Sequence, residues 1–405
     1  MTPNPGFLKF DLAIRGVRLG DGVRNHPDIT AIASQREQAA RSLELVLPED
    51  VWVCVPVGQR FTDASPYELR AEGDTFVVGG AGQRCEVRIV PPPSFYAQAT
   101  RTGVPMWHVG SAYGGYIAIN PAAGCALVPG QLPCNFCDLA TRAPERRTPL
   151  AVADVVETVR AAFAEGAVEF VYLHVGYLDG AGVEFIEPYV RAIKRHFDTL
   201  VAVQLQPPRD NRWIDRTYAI GVDGLSYSIE IHDPATLARL CPERAAQVGR
   251  ERYYEALRHA ASIFPSGTVW SDLIVGLEPA ESTLAGIDAL VGMGVLPVLS
   301  IFRPLDDAQR RDHPLPTAAE AAPIFAHLFR AVRDARINMH WVRDLSAAVT
   351  PIEARFFAGD EARASVNMGQ FYRSRLGALA ARNLSRLRRR LRVRQVSDSF
   401  DSSHL

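Results

Sequence analysis

Residues 152–206 read VADVVETVRAAFAEGAVEFVYLHVGYLDGAGVEFIEPYVRAIKRHFDTLVAVQLQ. Val152, Val155, Val156, Val159 and Phe163 recur at the three-to-four spacing of one helix face. Phe170–Val175 then reads as a buried strand, Val183–Phe197 as a second helix and Val201–Gln206 as a second strand. Parallel strands need a crossover long enough to hold a helix, so this alternation is the signature of βα units.

The pattern extends both ways. Upstream, Tyr116–Asn120 is a first strand, and Ser111–Gly115 before it reads as a turn. Downstream come a short helix near Trp213–Tyr218, a strand over Gly224–Glu230 and a helix over Arg250–Phe264. A strand over Val269–Gly276, a helix over Ser282–Met293 with a Ser/Thr cap, a strand over Val295–Phe302 and a helix over Ala318–Ala335 close the set. Six units predict an α/β fold: a partial, open (β/α)6 TIM barrel over residues 111–340, with its chemistry at the C-terminal ends of the strands. Residues 1–110 read as a mixed α/β domain, with a helix over Thr30–Leu45, strands at Val51–Val57 and Thr75–Val78, and a break at Pro91-Pro92-Pro93. Residues 341–405 read as a helical extension and polar tail, whose arginine run after Asn383 is expected to be a solvated, fraying helix face.

With 405 residues, 47% of them hydrophobic and 22% charged, the chain can bury a large core. A net charge of −1 gives no electrostatic footprint for nucleic acid or an acidic membrane. The N-terminus lacks a basic-then-apolar leader, and no apolar run approaches the roughly 18–20 residues of a membrane span, so a soluble cytoplasmic protein is expected. Disulfides are rare in large cytoplasmic enzymes. Three of the six cysteines fall within thirteen residues, which reads as a metal site.

That segment is Cys125-Ala-Leu-Val-Pro-Gly-Gln-Leu-Pro-Cys134-Asn-Phe136-Cys137, in the loop after the first barrel strand. Three thiolates hold three irons of a cubane cluster and leave the fourth iron open. The alternative is structural zinc, which wants four ligands, usually as two close pairs. Here there is one close pair and one distant cysteine, so Cys54, Cys85, Cys241 or a histidine would have to complete the set.

A cysteine loop after the first barrel strand, ending Cys134-x-aromatic-Cys137, resembles that of the radical S-adenosylmethionine (SAM) superfamily. The first spacing is eight residues where three is usual, the pattern of divergent members. The resemblance covers Gly114–Pro304 and has features of biotin synthase and lipoyl synthase. It implies a [4Fe–4S] cluster on Cys125, Cys134 and Cys137, with SAM chelated to the open iron beside Phe136. Gly176, in His174-Val-Gly-Tyr-Leu-Asp179, stands where relatives have a turn that binds the SAM ammonium; their glutamate is missing, and Asp179 could replace it. The resemblance further implies that Glu230 contacts the ribose or ammonium, that Arg250 or Arg252 faces the SAM carboxylate, and that Gly276, ahead of Glu278, lies near the adenine. Arg303, ending the sixth strand, would hold an anionic substrate or the carboxylate. His174 is a candidate proton donor and Cys241 a candidate hydrogen-atom donor.

The reaction implied is reductive cleavage of SAM to a 5′-deoxyadenosyl radical acting on a small-molecule substrate. Its electron would come from a donor such as flavodoxin or ferredoxin, with neither nucleic acid nor membrane as partner. Transfer of the 3-amino-3-carboxypropyl group, as in arsinothricin biosynthesis, and a zinc-stabilised binding module remain the alternatives.

Overall fold

The computed structural model describes residues 3–27, 29–30, 42–122, 124–125, 134–137, 148–166, 168–178, 182–303, 313–340, 342–359, 379–380 and 382–389. They form two sheets. The first has six strands, β1 (Arg18–Leu19), β2 (Ser42–Leu47), β3 (Val51–Pro56), β4 (Tyr67–Glu72), β5 (Thr75–Gly80) and β6 (Gln83–Ile89), in the order β1-β4-β5-β6-β2-β3. Helix α1 (Pro5–Arg15) packs against β3. The expected helix over Thr30–Leu45 is corrected at its end, where β2 pairs with β3. Leu43, Leu45 and Leu47 are all buried, and that two-residue period belongs to a strand. Residues 31–41 lie outside the described residues.

The second sheet is a curled half-barrel of eight strands in sequence order, β7 (Ser111–Tyr113), β8 (Tyr116–Ile119), β9 (Phe170–His174), β10 (Leu200–Gln204), β11 (Gly224–Ser226), β12 (Val269–Val275), β13 (Leu296–Ile301) and β14 (Ala348–Val349). The six from β8 to β13 are parallel, as the βα reading required. Antiparallel β7 and β14 flank them. Between and after the parallel strands run α2 (Val152–Ala164), α3 (Gly182–His196), α4 (Arg212–Ala219), α5 (Pro234–Leu240), α6 (Pro242–Gln247), α7 (Arg250–Ile263), α8 (Ala280–Gly292) and α9 (Ala318–Asp334).

Several local expectations change. Ser111–Tyr113 is a strand, and only Gly114 and Gly115 make the turn to β8. Gly114 has φ +55, and a Cβ there would lie 2.3 Å from the Asp344 carbonyl oxygen, so only glycine fits. Helix α8 starts at Ala280 after Pro279, with no side-chain cap; Ser282 therefore falls inside the first turn. The fourth barrel strand is continuous only to Ser226, and Glu230 rejoins the sheet through one bridge to Leu273.

Alternation along the strands sorts their side chains. In β9, Val171 and Leu173 are fully buried while Tyr172 and His174 are half-buried. In β12, Leu273 meets α8, its Cδ1 being 3.2 Å from the site a Cβ on Gly286 would take. Trp270, Asp272 and Ile274 thus face the lumen. The first sheet closes the seam of the half-barrel: the Glu44 carboxylate accepts the Gly114 N–H at one edge (3.2 Å) and the Ser346 hydroxyl beside β14 at the other. Both lysines of the chain are held in ion pairs, that of Lys9 buried. Lys9 Nζ bonds both Glu353 oxygens (2.8 and 2.9 Å) and the Leu345 carbonyl (2.7 Å), and Lys194 pairs with Asp223. Asp223, which is 2% exposed, also receives Ser385 (2.5 Å) and Arg389 (2.7 Å). Part of the arginine-rich helix is therefore docked against the barrel, where a solvated face was expected.

Candidate functional site

Cys125 and Cys134 lie at the C-terminal ends of the parallel strands. Cys125 Sγ accepts the Tyr177 N–H (3.3 Å), in the turn after β9. A Cβ on Gly176 would stand 2.6 Å from Cys125 Cβ and 3.0 Å from its Sγ. The glycine is required by the close approach of Cys125, not by backbone conformation. At the other end of the loop, the Cys137 N–H donates to the Cys134 carbonyl (3.0 Å), and the Asn135 N–H donates to Leu240 O at the end of α5 (2.9 Å). Cys134 and Phe136 pack on Ile231, Leu237, Leu240, Cys241, Leu277 and Phe302. Cys241 is fully buried in the same apolar group. The neighbouring Cys241 draws the Cys134 thiol below its ordinary pKa, against the opposing effect of burial. Cys241, expected as a hydrogen-atom donor, thus stands in the apolar group on which Cys134 packs.

All six cysteines are free thiols, and Cys54 and Cys85 are buried in the first sheet. Among the described residues, no three His, Cys, Asp or Glu side chains converge on the position of one metal ion. A tetrahedral zinc would bring its sulfurs to about 3.8 Å of each other. A cubane distributes three thiolates over three irons and spaces them more widely. The donor set of three thiols outside any disulfide, Cys125 beside the turn after β9 and Cys134 at the end of α5 with Cys137 next to it in sequence, fits the cubane.

The other expected residues are placed as follows. Glu230 adopts φ +63, rare for a side-chain-bearing residue, and is pinned there by its N–H on Asp272 O (2.8 Å) and its carbonyl on Ile274 N (2.9 Å). Its carboxylate pairs with Arg244, which is 3% exposed and also bonds Ile229 O (3.1 Å). Arg250 donates to His232 O (3.0 Å) and lies over the Tyr254 ring. Arg252 is committed to Pro208 O and Asn211 Oδ1 (both 2.7 Å). Gly276 has φ +99, and the face expected to meet adenine is covered by Pro316, 3.0 Å from where a Cβ would be. Glu278 accepts the Asp233 N–H (2.7 Å), stabilising the turn into α5. Arg303 reaches Cys54 Sγ at 3.9 Å, at the first sheet. Asp179 lies outside the described residues.

No family model matches the chain. A curated relative, bacteriochlorophyllide c C-7(1)-hydroxylase of Chlorobaculum limnaeum, is 27% identical over 148 residues, covering 36% of this chain and 37% of that protein. Among solved structures it is similar to methylornithine synthase PylB (17% identity, 53% of this chain and 62% of that one, TM-score 0.42). It is also similar to a radical SAM methyltransferase from Sphaerobacter thermophilus (15%, 67% and 75%, TM-score 0.39) and to the hydrogenase maturase HydG (16%, 54% and 49%, TM-score 0.41). These structural likenesses are slight and carry no weight alone. In this chain Cys125 follows the first of six parallel strands and meets the turn after β9, while Cys134 packs at the end of α5.

On the lumen face the chain carries a polar ladder that motif reading missed. Tyr172 OH donates to Gln204 Oε1 (2.6 Å), Gln204 Nε2 to Ser228 Oγ (2.7 Å), and Ser228 Oγ to Asp272 Oδ2 (2.5 Å). It crosses from β9 to β12 on the lumen face. Burial pushes the Asp272 carboxyl up to about 6, and the nearby Glu230 charge adds to this against the pull of Ser228. Aromatic rings extend the wall: Tyr172 meets Tyr116 edge-on (5.7 Å), His174 face-on (5.8 Å) and Trp270 at a tilt (6.1 Å). His174 is therefore part of that wall. The available signal was an aspartate and two serines within otherwise apolar strands, at the two-residue period of an inward face.

Proposed function

We propose that this chain is a radical SAM enzyme that binds one [4Fe–4S] cluster on Cys125, Cys134 and Cys137 and uses SAM to activate a C–H bond of a small planar molecule held in the barrel lumen. Cys125, Cys134 and Cys137 would hold the cluster, which would supply one electron for reductive cleavage of SAM to methionine and a 5′-deoxyadenosyl radical. The protein's own contributions are positioning and exclusion of water. Gly176 lets the loop sit close on β9, Phe136 covers the apolar pocket at the mouth, and the Glu230–Arg244 pair fixes the end of the fourth strand. The aromatic wall suits a flat ring system. The Tyr172–Gln204–Ser228–Asp272 ladder suits its polar edge.

The observation that supports the reading is Cys125 beside the turn after β9 at the end of a lumen lined with bonded polar groups and rings. Similarity to a hydroxylase supports C–H bonds as the target. The test is anaerobic reconstitution, iron and sulfide analysis, then incubation with SAM and a low-potential reductant. About four irons per chain and release of 5′-deoxyadenosine are expected, both lost in Cys134→Ala/Cys137→Ala. Release of 5′-methylthioadenosine instead would mean aminocarboxypropyl transfer; a colourless zinc protein would overturn the reading.

A further inference from the structure

We propose that Asp272 is a specificity-determining residue of the barrel lumen, selecting a flat substrate whose edge carries a cationic nitrogen, as in an amine or amidine. The inference rests on the reading of the lumen as the substrate chamber and adds the charge of the molecule it takes. The interior of a closed barrel is filled by its own side chains. Here Tyr172, His174, Gln204, Asp272 and Ile274 all keep exposed surface, although Val171, Leu173, Val203 and Leu273, which alternate with them along the strands, are fully buried. The lumen is therefore open space, and Asp272 borders it.

The hydrogens of the ladder are already committed. Tyr172 gives its hydroxyl hydrogen to Gln204 Oε1 (2.6 Å), Gln204 Nε2 donates to Ser228 Oγ (2.7 Å), and Ser228 gives its only hydrogen to Asp272 Oδ2 (2.5 Å). Ser226 Oγ, 3.1 Å from Ser228 Oγ, is then the donor of that pair. A ligand in the lumen thus meets the lone pairs of Tyr172 and Asp272 and a single spare N–H on Gln204. Among the described residues Asp272 has no ion-pair partner, and the charge acting on it is another carboxylate, Glu230, itself paired with Arg244. Arg303, at the end of β13, reaches Cys54. At neutral pH a carboxyl raised to about 6 is mainly ionised. A buried carboxylate without a counter-ion is costly, and a cation brought by the substrate relieves that cost. Tyr116 and Tyr172 both stand close enough to feel the Asp272 charge, and Trp270 extends their wall. The faces of such rings attract cations, so wall and carboxylate favour the same ligand charge.

The test uses two planar probes of one shape and opposite charge, benzamidine and benzoate. Each is titrated calorimetrically into the anaerobically reconstituted enzyme with SAM saturating and no reductant. SAM keeps its own site filled, so the probes report the remaining space. Wild type should bind benzamidine at least about tenfold more tightly than benzoate, and Asp272→Asn should weaken benzamidine about 10- to 100-fold, the strength of a charge-assisted hydrogen bond. Asp272→Glu keeps the carboxylate and should keep the preference. Benzoate binding as tightly as benzamidine, no benzamidine binding, or an unchanged benzamidine affinity in Asp272→Asn overturns the proposal. If Asp272→Asn does not fold, wild type and Asp272→Glu decide: the preference in both supports the proposal, and its absence from either overturns it. Iron content, and 5′-deoxyadenosine release once a low-potential reductant is added, are measured on the same wild-type preparation and register failure of the cluster reading separately.

Discussion

Replacing Gly176 with alanine tests whether the turn after β9 and the cysteine loop are built for each other. The added methyl would lie 2.6 Å from Cys125 Cβ, 3.0 Å from Sγ and 3.1 Å from Cα. Carbon atoms rest at about 3.5–4.0 Å, so Cys125 must retreat by roughly 1 Å. The neighbouring atoms include backbone, which cannot rotate away as a side-chain tip would. Overpacking of this kind costs about 1–3 kcal/mol, and charged against the cluster-ready position of Cys125 it lowers that population about 5- to 150-fold. Stepwise iron and sulfide addition under anaerobic conditions, followed by the charge-transfer absorbance of the cluster, measures this directly. Gly176→Ala should need correspondingly more iron to half-fill, or stop short of full loading. Gly22→Ala, with nothing within 4 Å of the new methyl, is the control and should match wild type. Gly176→Ala filling at the wild-type concentration would refute the reasoning, since Cys125 would then have another way to its place.

Lys9→Met leaves the Glu353 carboxylate buried without its cation. The expected loss is about 3–5 kcal/mol in urea unfolding, much of it restored in Lys9→Met/Glu353→Leu; a single variant within 1 kcal/mol of wild type on this scale would contradict it. Asp272 is neutral in the fold below about pH 6 and must ionise against burial above it. Its folded-state value exceeds its unfolded one, so stability is greatest below the ordinary carboxylate range and falls as pH rises through about 6. Asp272→Asn should match the wild-type melting temperature near pH 4 and exceed it at pH 8, and equal values at pH 8 would contradict the assignment.

The barrel was legible because its strands and helices repeat at periods that local sequence carries: the helix over residues 152–164 and the strand starting at Phe170 stand where Val152–Phe163 and FVYLHV put them. The cysteine segment stood out because three thiols in one loop have few other uses. Long-range partners were not. Arg244 looks like any arginine in a charged helix, and only the fold brings it onto Glu230. Arg252 and Gly276 were assigned by analogy to SAM, while Pro208, Asn211 and Pro316, which meet them, are remote in sequence. The ladder on the lumen face joins β9, β10 and β12 through Ser228, just past β11, and exists only once the strands are in register.

The two lysines have a practical consequence. A protease that cuts after lysine has only two side chains to recognise, one held between Glu353 and Leu345 and one on Asp223. Cleavage at Lys9 would report loosening of the contact between α1 and the Glu353 segment, and cleavage at Lys194 would report opening of the barrel's floor. Two fragments of known mass could thus time two separate events in the unfolding of this chain, with no label introduced.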